Sequence, residues 1–318
     1  MTGRLAILAD DFTGACDAAA PFAAAGHSTA VVVSLPPEWP SDADVVSVDL
    51  DARELPAAAA RRAMCHAARR LGIDARLLLK IDSTLRGPIQ AMIDGALEGI
   101  GARVAVVASA FPEQGRDVVD GRLFVHGVAH GLVREVVGER PLVHGSADLD
   151  AIASEWPGHP EWLLVGSAGI ARRLAGPATV GLPHAPAGPV LVVAGTPAEA
   201  TRRQLERLPP GVTVLCTPPA ADRDAGQAAQ ALANVIDVSE RPGLLILTGG
   251  ATARMVCAQL GASGIQLLGE VQAGLPVGRL TGGLWDGVTV LTKAGAFGPP
   301  DALLDALRAL GPSSLDTS

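Results

Sequence analysis

Two short stretches gather groups that do chemistry. Asp10 and Asp11 are adjacent carboxylates closing an apolar run, Leu5 to Ala9, and Thr13 and Gly14 follow at once. Holding two neighbouring acids is costly unless something uses them. The second stretch, Lys80-Ile-Asp82-Ser83-Thr84-Leu-Arg86, packs an ammonium, a carboxylate, two hydroxyls and a guanidinium into seven residues. Lys80 and Arg86 suit an acidic substrate, Arg by a forked pair to its carboxylate. Asp82 suits a proton acceptor for a substrate hydroxyl, and Ser83 and Thr84 suit its other hydroxyls. A purely structural alternative stands beside each: Asp11 or Thr13 as a helix cap, and an internal ion pair of Asp82 with Lys80 or Arg86.

The other half of the chain carries glycine turns: Gly195-Thr196, Gly249-Gly250-Ala251-Thr252, and Gly295 with Gly298, with Lys293 beside the last. Glycine lets backbone approach a phosphate, and a helix starting after Thr252 would aim N–H groups at an anion. Neither GxxxxGK[ST] nor GxGxxG is present, so a nucleotide site here is not of a standard type. Phe111-Pro-Glu-Gln-Gly-Arg116 reads as a loop with a forced turn and one positive charge. His126 and His130 have helical metal-ligand spacing, but nothing beside them completes a donor set, so they read as surface histidines. Acid- and hydroxyl-binding groups in one half and phosphate-type turns in the other suggest phosphoryl transfer across a cleft.

These residues need strand ends to hold them. Leu5 to Ala9 reads as a buried strand and the Ala-rich run to Ala25 as a helix. Thr29 to Leu35 and Asp44 to Val48 read as strands, Leu55 to Leu71 as a helix, and Arg76 to Ile81 as the strand delivering the second loop. Pro88 opens a helix to about Gly99, then come strand Arg103 to Ala108, a short strand and turn over 121–127, strand Trp162 to Val165 and helix Gly166 to Leu174. After a Gly/Pro-rich linker a second alternation begins: strands Val190 to Ala194, Val212 to Cys216, Leu244 to Leu247 and Val288 to Leu291, with helices from Pro197 to about Leu208, over 225–238, over 253–260 and over 302–310. The expectation is an α/β chain of two α/β domains with mainly parallel sheets, substrate binding in 1–178, linker 179–189, nucleotide binding in 190–318, and an active site in the cleft between them.

Length and composition agree. The 318 residues exceed one typical core; the mean hydropathy of +0.32 with 18% charged residues marks a compact globular chain. A net charge of −8 argues against nucleic acid as the main partner. Cys16, Cys65, Cys216 and Cys257 show no CxxC spacing, as in a reducing compartment. The N-terminal apolar run is too short for a signal peptide, and no uncharged run is long enough to span a bilayer. A cytoplasmic protein with no membrane partner is expected; a homo-oligomer is compatible with the sequence. There are two lysines among 25 Lys and Arg residues, and both fall in the loops singled out above.

Leu8-Ala-Asp-Asp-Phe-Thr-Gly-Ala15, Lys80 to Gly87, Pro112 to Arg116 with Gly121 to Val128, and Thr248 to Thr252 together resemble the four-carbon acid sugar kinases. The wording of Ile81 to Gly87 is closer to the threonate or erythronate branch than to the 3-oxo-tetronate one. The resemblance implies an N-terminal substrate domain, a C-terminal nucleotide domain, and phosphorylation of the 4-hydroxyl of a small-molecule sugar acid with ATP and Mg²⁺. By motif, Asp10, Asp11, Thr13, Lys80, Asp82, Ser83, Thr84, Arg86 and Arg116 fall in the substrate half, with Asp82 or Asp10 as the proton acceptor. Gly195, Thr196, Gly249, Gly250, Ala251, Thr252, Lys293 and Gly295 fall in the nucleotide half, where Lys293 and the glycine turns are expected to cradle the triphosphate. The chain departs from the pattern in being shorter than the roughly 400 residues typical of the family, and in His126 (commonly Asn), Ala251 (commonly acidic) and Ala296 (commonly Asn). Two rival readings are a phosphohydrolase with Asp10 as nucleophile, disfavoured because Phe12 takes the place of its second acid, and a non-catalytic sugar-acid-binding protein.

Overall fold

The computed structural model describes residues 3–142, 145–195, 198–216 and 240–311. The chain divides into two compact units, Met1–Thr179 and Val180–Ser318. Both are α/β with mostly parallel sheets.

Unit 1 runs β1 (Arg4–Ala9), α1 (Phe12–Ala24), β2 (Thr29–Val32), β3 (Val45–Asp49), α2 (Ala57–Leu71), β4 (Ala75–Lys80), α3 (Ile89–Ile100), β5 (Val104–Ala108), β6 (Arg116–Val119), β7 (Arg122–Val125), β8 (Val128–Leu132), α4 (Val133–Val137), α5 (Gly145–Glu155), β9 (Trp162–Gly166) and α6 (Ala168–Ala175). Its main sheet has the order β2-β3-β1-β4-β9-β5, and every pairing in it is parallel. The sheet is covered on both faces, which is why Leu5 to Ala9 of β1 is a continuous apolar run and all five residues of β3, Ser47 and Asp49 included, are buried. All thirteen residues of helix α1 are buried, the polar Thr13 and Asp17 among them; Cys16 lies on it with no exposed surface.

The connections decide where a ligand can sit. Helix α1 packs with α6, whereas α2 packs with α3. Thus the helix leaving β1 lies against one partner set and those leaving β3 and β4 against the other. Chains that diverge in this way open a crevice at the carboxyl ends of neighbouring strands, here those of β3, β1 and β4. A separate antiparallel sheet, β6-β7-β8, carries Arg116 on its first strand.

Unit 2 runs β10 (Val190–Ala194), α7 (Glu199–Leu205), β11 (Thr213–Cys216), β12 (Leu244–Thr248), α8 (Gly250–Gln259), β13 (Gly264–Glu270), β14 (Pro276–Thr281), β15 (Thr289–Lys293) and α9 (Ala302–Leu310). Strands β11, β10, β12 and β15 pair in parallel, and β14 and β13 extend the sheet antiparallel. A core of Val190, Val192, Leu244, Ile246 and Leu291 packs against Leu303, Leu307 and Leu310 of α9. Cys257 of α8 is also fully buried.

The structure departs from the expected elements in a few places. The antiparallel pair β13–β14 and the α4 and α5 helices were not read from the sequence. β2 stops at Val32 and α7 at Leu205, short of Leu35 and Leu208. The helix expected over 225–238 lies outside the described residues.

Candidate active site

Asp10 and Asp11 leave β1, Asp82, Thr84 and Arg86 leave β4, and Arg53 leaves β3, the strand on the other side of β1. Sheet order thus gathers three loops that are far apart in sequence. Arg53 joins them. Its Nε donates to Asp10 Oδ2 at 2.8 Å, and its Nη1 and Nη2 donate to Asp11 Oδ2 and Oδ1, also at 2.8 Å. Its Nη2 also lies 3.7 Å from Asp82 Oδ1. Burial opposes the Arg53 charge, yet the carboxylates of Asp10 and Asp11 hold it above its ordinary proton affinity.

Asp11 does two jobs. Its Oδ1 accepts the Gly14 N–H and so caps α1, and its Oδ2 accepts from Thr13 Oγ1. The structural alternative named for Asp11 is therefore present, together with the Arg53 pair. Gly14 must be small: a Cβ there would sit 2.4 Å from Asp11 Oδ1, 3.0 Å from Lys80 Nζ and 3.6 Å from Asp10 Oδ1. The bare Cα lets three polar side chains converge on one point.

Asp82 is saturated. Its Oδ2 accepts from the Thr84 N–H and Oγ1 and from the Arg86 N–H and Nε, and its Oδ1 accepts from Arg86 Nη2. Burial would raise its proton affinity, but the Arg86 hydrogen bonds and the Arg53 charge outweigh that and hold the carboxyl well below the usual carboxylate range. The Asp82–Arg86 ion pair foreseen as an alternative is thus formed. It knots the loop around Leu85, which adopts a left-handed backbone, φ 63°, a strain of the kind stored at functional sites. The Arg86 side chain remains 66% exposed, and Ser83 is buried beside the loop.

Asp10 differs from its neighbours. It is fully buried, Oδ2 is held by Arg53, and Oδ1 has no hydrogen-bond partner. Burial raises its proton affinity; Arg53 and Lys80 oppose this and Asp11 adds to it, with a net upward shift. Lys80 closes β4 rather than standing in the loop; it is buried, and its Nζ donates to the Ile81 carbonyl. Arg116 is buried too. It donates to the Gln114 carbonyl and lies 3.5 Å from His126 Nε2. Burial lowers its proton affinity, against the pull of Asp82 and Asp17. His126 and His130 are exposed, and the described residues hold no cluster of three or more His, Cys, Asp or Glu of metal-binding size.

In unit 2, β12 lies between β10 and β15, so the three glycine turns foreseen in the sequence come side by side at one end of the sheet. Gly195 follows β10, Gly249 follows β12 with φ 93°, Gly250 opens α8, and Gly295 follows β15. Ala251 is exposed on α8, Thr252 is buried, and Thr196 lies outside the described residues. A Cβ on Gly195 would fall 1.8 Å from Thr252 Oγ1. Lys293 ends β15 with no exposed surface. Its Nζ donates to Thr201 Oγ1 and to the carbonyls of Ala294, Gly295 and Phe297. Burial pulls its proton affinity down to about 7. The hydroxyls of Thr248 and Thr292, at the ends of β12 and β15, are buried without partners.

A family model described as a sugar-binding N-terminal domain matches residues 5–142, and one described as a nucleotide-binding C-terminal domain matches 220–303. A D-threonate kinase of Bordetella bronchiseptica is 30% identical over 96% of this chain and 97% of its own. The chain belongs to the four-carbon acid sugar kinase family. A D-threonate kinase of Cupriavidus necator is 31% identical, with the same coverage of both chains. The family makes this enzyme a phosphotransferase acting on sugar acids, as the sequence motifs implied. The Bordetella alignment runs over 406 positions, whereas this chain has 318 residues, so that kinase carries segments that this one lacks. A crystal structure of a Haemophilus influenzae protein shares the fold, with a TM-score of 0.70 at 18% identity, over 95% of this chain and 99% of that one. No helix among the described residues is long and apolar enough to cross a membrane.

The family's nucleotide fits the strand ends of unit 2: a glycine turn with no room for a Cβ, and the orphaned buried Thr248 hydroxyl beside it. The described turns 249–252 and 294–298 carry no carboxylate. They therefore do not supply a protein cage for Mg²⁺.

Proposed function

We propose that the enzyme transfers the γ-phosphoryl group of ATP to the 4-hydroxyl of a four-carbon sugar acid, with threonate the leading candidate. The names of the two full-length relatives support threonate. Unit 1 binds the acid and unit 2 the nucleotide. Magnesium enters with the nucleotide's phosphates, which supply most of its oxygen ligands.

One observation carries the assignment of the proton acceptor. Of the carboxylate oxygens of Asp10, Asp11 and Asp82, Asp10 Oδ1 alone has no hydrogen-bond donor. A base needs an open lone pair and a proton affinity above that of an ordinary carboxylate. Asp10 Oδ1 has both but is buried, so the hydroxyl reaches it only once the site opens to admit the substrate; Asp82 already accepts five hydrogen bonds and its proton affinity is lowered. Asp10 Oδ1 takes the proton of the attacking hydroxyl, while Asp82 anchors Arg86. Arg86, with Lys80 and Arg116, holds the substrate carboxylate. Transfer then depends on positioning and charge rather than on covalent chemistry by the protein.

A coupled ADP-release assay over D-threonate, L-threonate, D-erythronate and 3-oxo-tetronate tests the reading. ADP release dependent on one of these acids is expected. Folded enzyme that releases none with any of them, with Mg-ATP present, would overturn it.

A further inference from the structure

The loop after β15 is held by an unusual set of side chains. Besides the four Lys293 bonds, Thr201 Oγ1 donates to the Gly295 carbonyl at 2.8 Å. Gln204 Nε2 donates to the carbonyls of Phe297, Gly298 and Pro299 at 3.0, 3.2 and 2.9 Å. Thr201 and Gln204 lie on α7, and all three donors are buried. The carbonyls of 294, 295, 297, 298 and 299 are thus drawn inward onto three side chains.

Peptide geometry fixes what this does to the other side of the loop. In a trans peptide the C=O of one residue and the N–H of the next point in opposite directions, and no peptide bond in the described structure is cis. Carbonyls of 294, 295 and 297 turned inward therefore turn the N–H groups of Gly295, Ala296 and Gly298 outward, on a stretch that is partly exposed. The two remaining inward carbonyls precede Pro299 and Pro300, which have no N–H to present.

We propose that Lys293, Thr201 and Gln204 are positioning residues for the nucleotide: they never touch it, but preset the 294–299 loop so that the amides of Gly295, Ala296 and Gly298 face its phosphates. This rests on the proposed nucleotide reading of unit 2. It gives Lys293 a role other than direct contact with the triphosphate. A buried ammonium whose donors are all spent on chain acceptors has none left for an anion, whereas oriented backbone amides form an anion-binding face without any added charge.

The test uses the full-length enzyme with ADP and Mg-ATP as probes. Thr201→Val removes one hydroxyl at constant shape, Thr201→Ser restores it, and Lys293→Met removes the ammonium. Thr201→Val and Lys293→Met should each weaken ADP binding at least ~10-fold, measured by calorimetry, and raise the KM for ATP with kcat within ~3-fold; Thr201→Ser should return to within ~2-fold of wild type. Hydrogen exchange on the wild-type enzyme needs no variant: the amides of 295, 296 and 298 should exchange fast without nucleotide and become protected with ADP. Wild-type ADP affinity in a well-folded Thr201→Val would overturn the proposal, as would an effect of Lys293→Met alone. So would amides of 295, 296 and 298 that ADP leaves unchanged while it protects the 249–252 turn. A wild-type enzyme that binds no ADP would instead overturn the nucleotide reading itself, and this inference with it.

Discussion

Arg53 grips Asp11 with two parallel bonds, Nη1 to Oδ2 and Nη2 to Oδ1, each 2.8 Å, and reaches Asp10 with its third nitrogen. One guanidinium therefore neutralises a pair of acids at the end of β1 in a geometry that an ammonium cannot copy. Arg53→Met should cost about 3 kcal/mol or more of stability, because it strands buried carboxylates, and should lower kcat/KM at least ~100-fold. Arg53→Lys should recover only a minor part of either. Urea melts and initial-rate kinetics at pH 7 check both; a fully active Arg53→Lys enzyme would show that the fork is dispensable.

Asp10→Asn should lower kcat by roughly 100-fold or more, the size expected for a lost general base, with little change in the KM for the acid. In the wild type the base works only when deprotonated, so activity falls as pH drops through the Asp10 pKa. That pKa is raised by burial above 3.8, and the acid limb of kcat/KM should therefore have its midpoint above the ordinary carboxylate range. The same upward shift means that the folded state binds a proton more readily than the unfolded chain, so the Asp10 charge weakens the fold as pH rises above 3.8. The melting temperature of Asp10→Asn at pH 7 should accordingly be no lower than that of wild type.

Asp82 titrates in the opposite sense. Its folded pKa lies below 3.8, so its pairing stabilises the fold in full at neutral pH and the benefit is lost as pH falls from 3.8 toward the folded value. Asp82→Asn should cost roughly 2 kcal/mol at pH 7, the range for hydrogen bonds to a charged group, and the gap to wild type should narrow in melts at pH 3. If Asp82 positions Arg86, as proposed, the variant should raise the KM for the sugar acid more than it lowers kcat.

Gly195→Ala should act on the nucleotide alone. Its methyl would meet Thr252 Oγ1 at 1.8 Å, and Thr252 is buried. The KM for ATP should rise ~10-fold or more while that for the acid stays put. Thr252→Ala in the same chain should restore part of the loss, read from the same two saturation curves.

How much of this was legible beforehand depends on where the information resides. The carboxylates at 10, 11 and 82 announce themselves, because charged groups packed against apolar runs are locally improbable, and the structure does place them at the ends of β1 and β4. Arg53 gave no such signal: a single arginine in a short connection becomes central only because β3 lies next to β1 in the sheet, and strand order is not a local property. Charge accounting was the one available clue, since three clustered acids need a cation. Lys80 and Lys293 stood out by rarity, yet both turned out to be buried strand ends rather than loop residues. β13 has no expectation from the sequence although Gly264 to Glu270 largely alternates in burial, because glycines and polar residues interrupt its apolar pattern.

Helix α1 has no solvent face, and α8 buries Cys257 as completely as α1 buries Cys16. Each unit therefore conceals a thiol that an alkylating reagent reaches only when that unit opens, while Cys65 and Cys216 stay within reach throughout. Labelling rates at Cys16 and Cys257, followed by mass spectrometry with and without ligand, would report separately which half of the enzyme the sugar acid tightens and which half the nucleotide does.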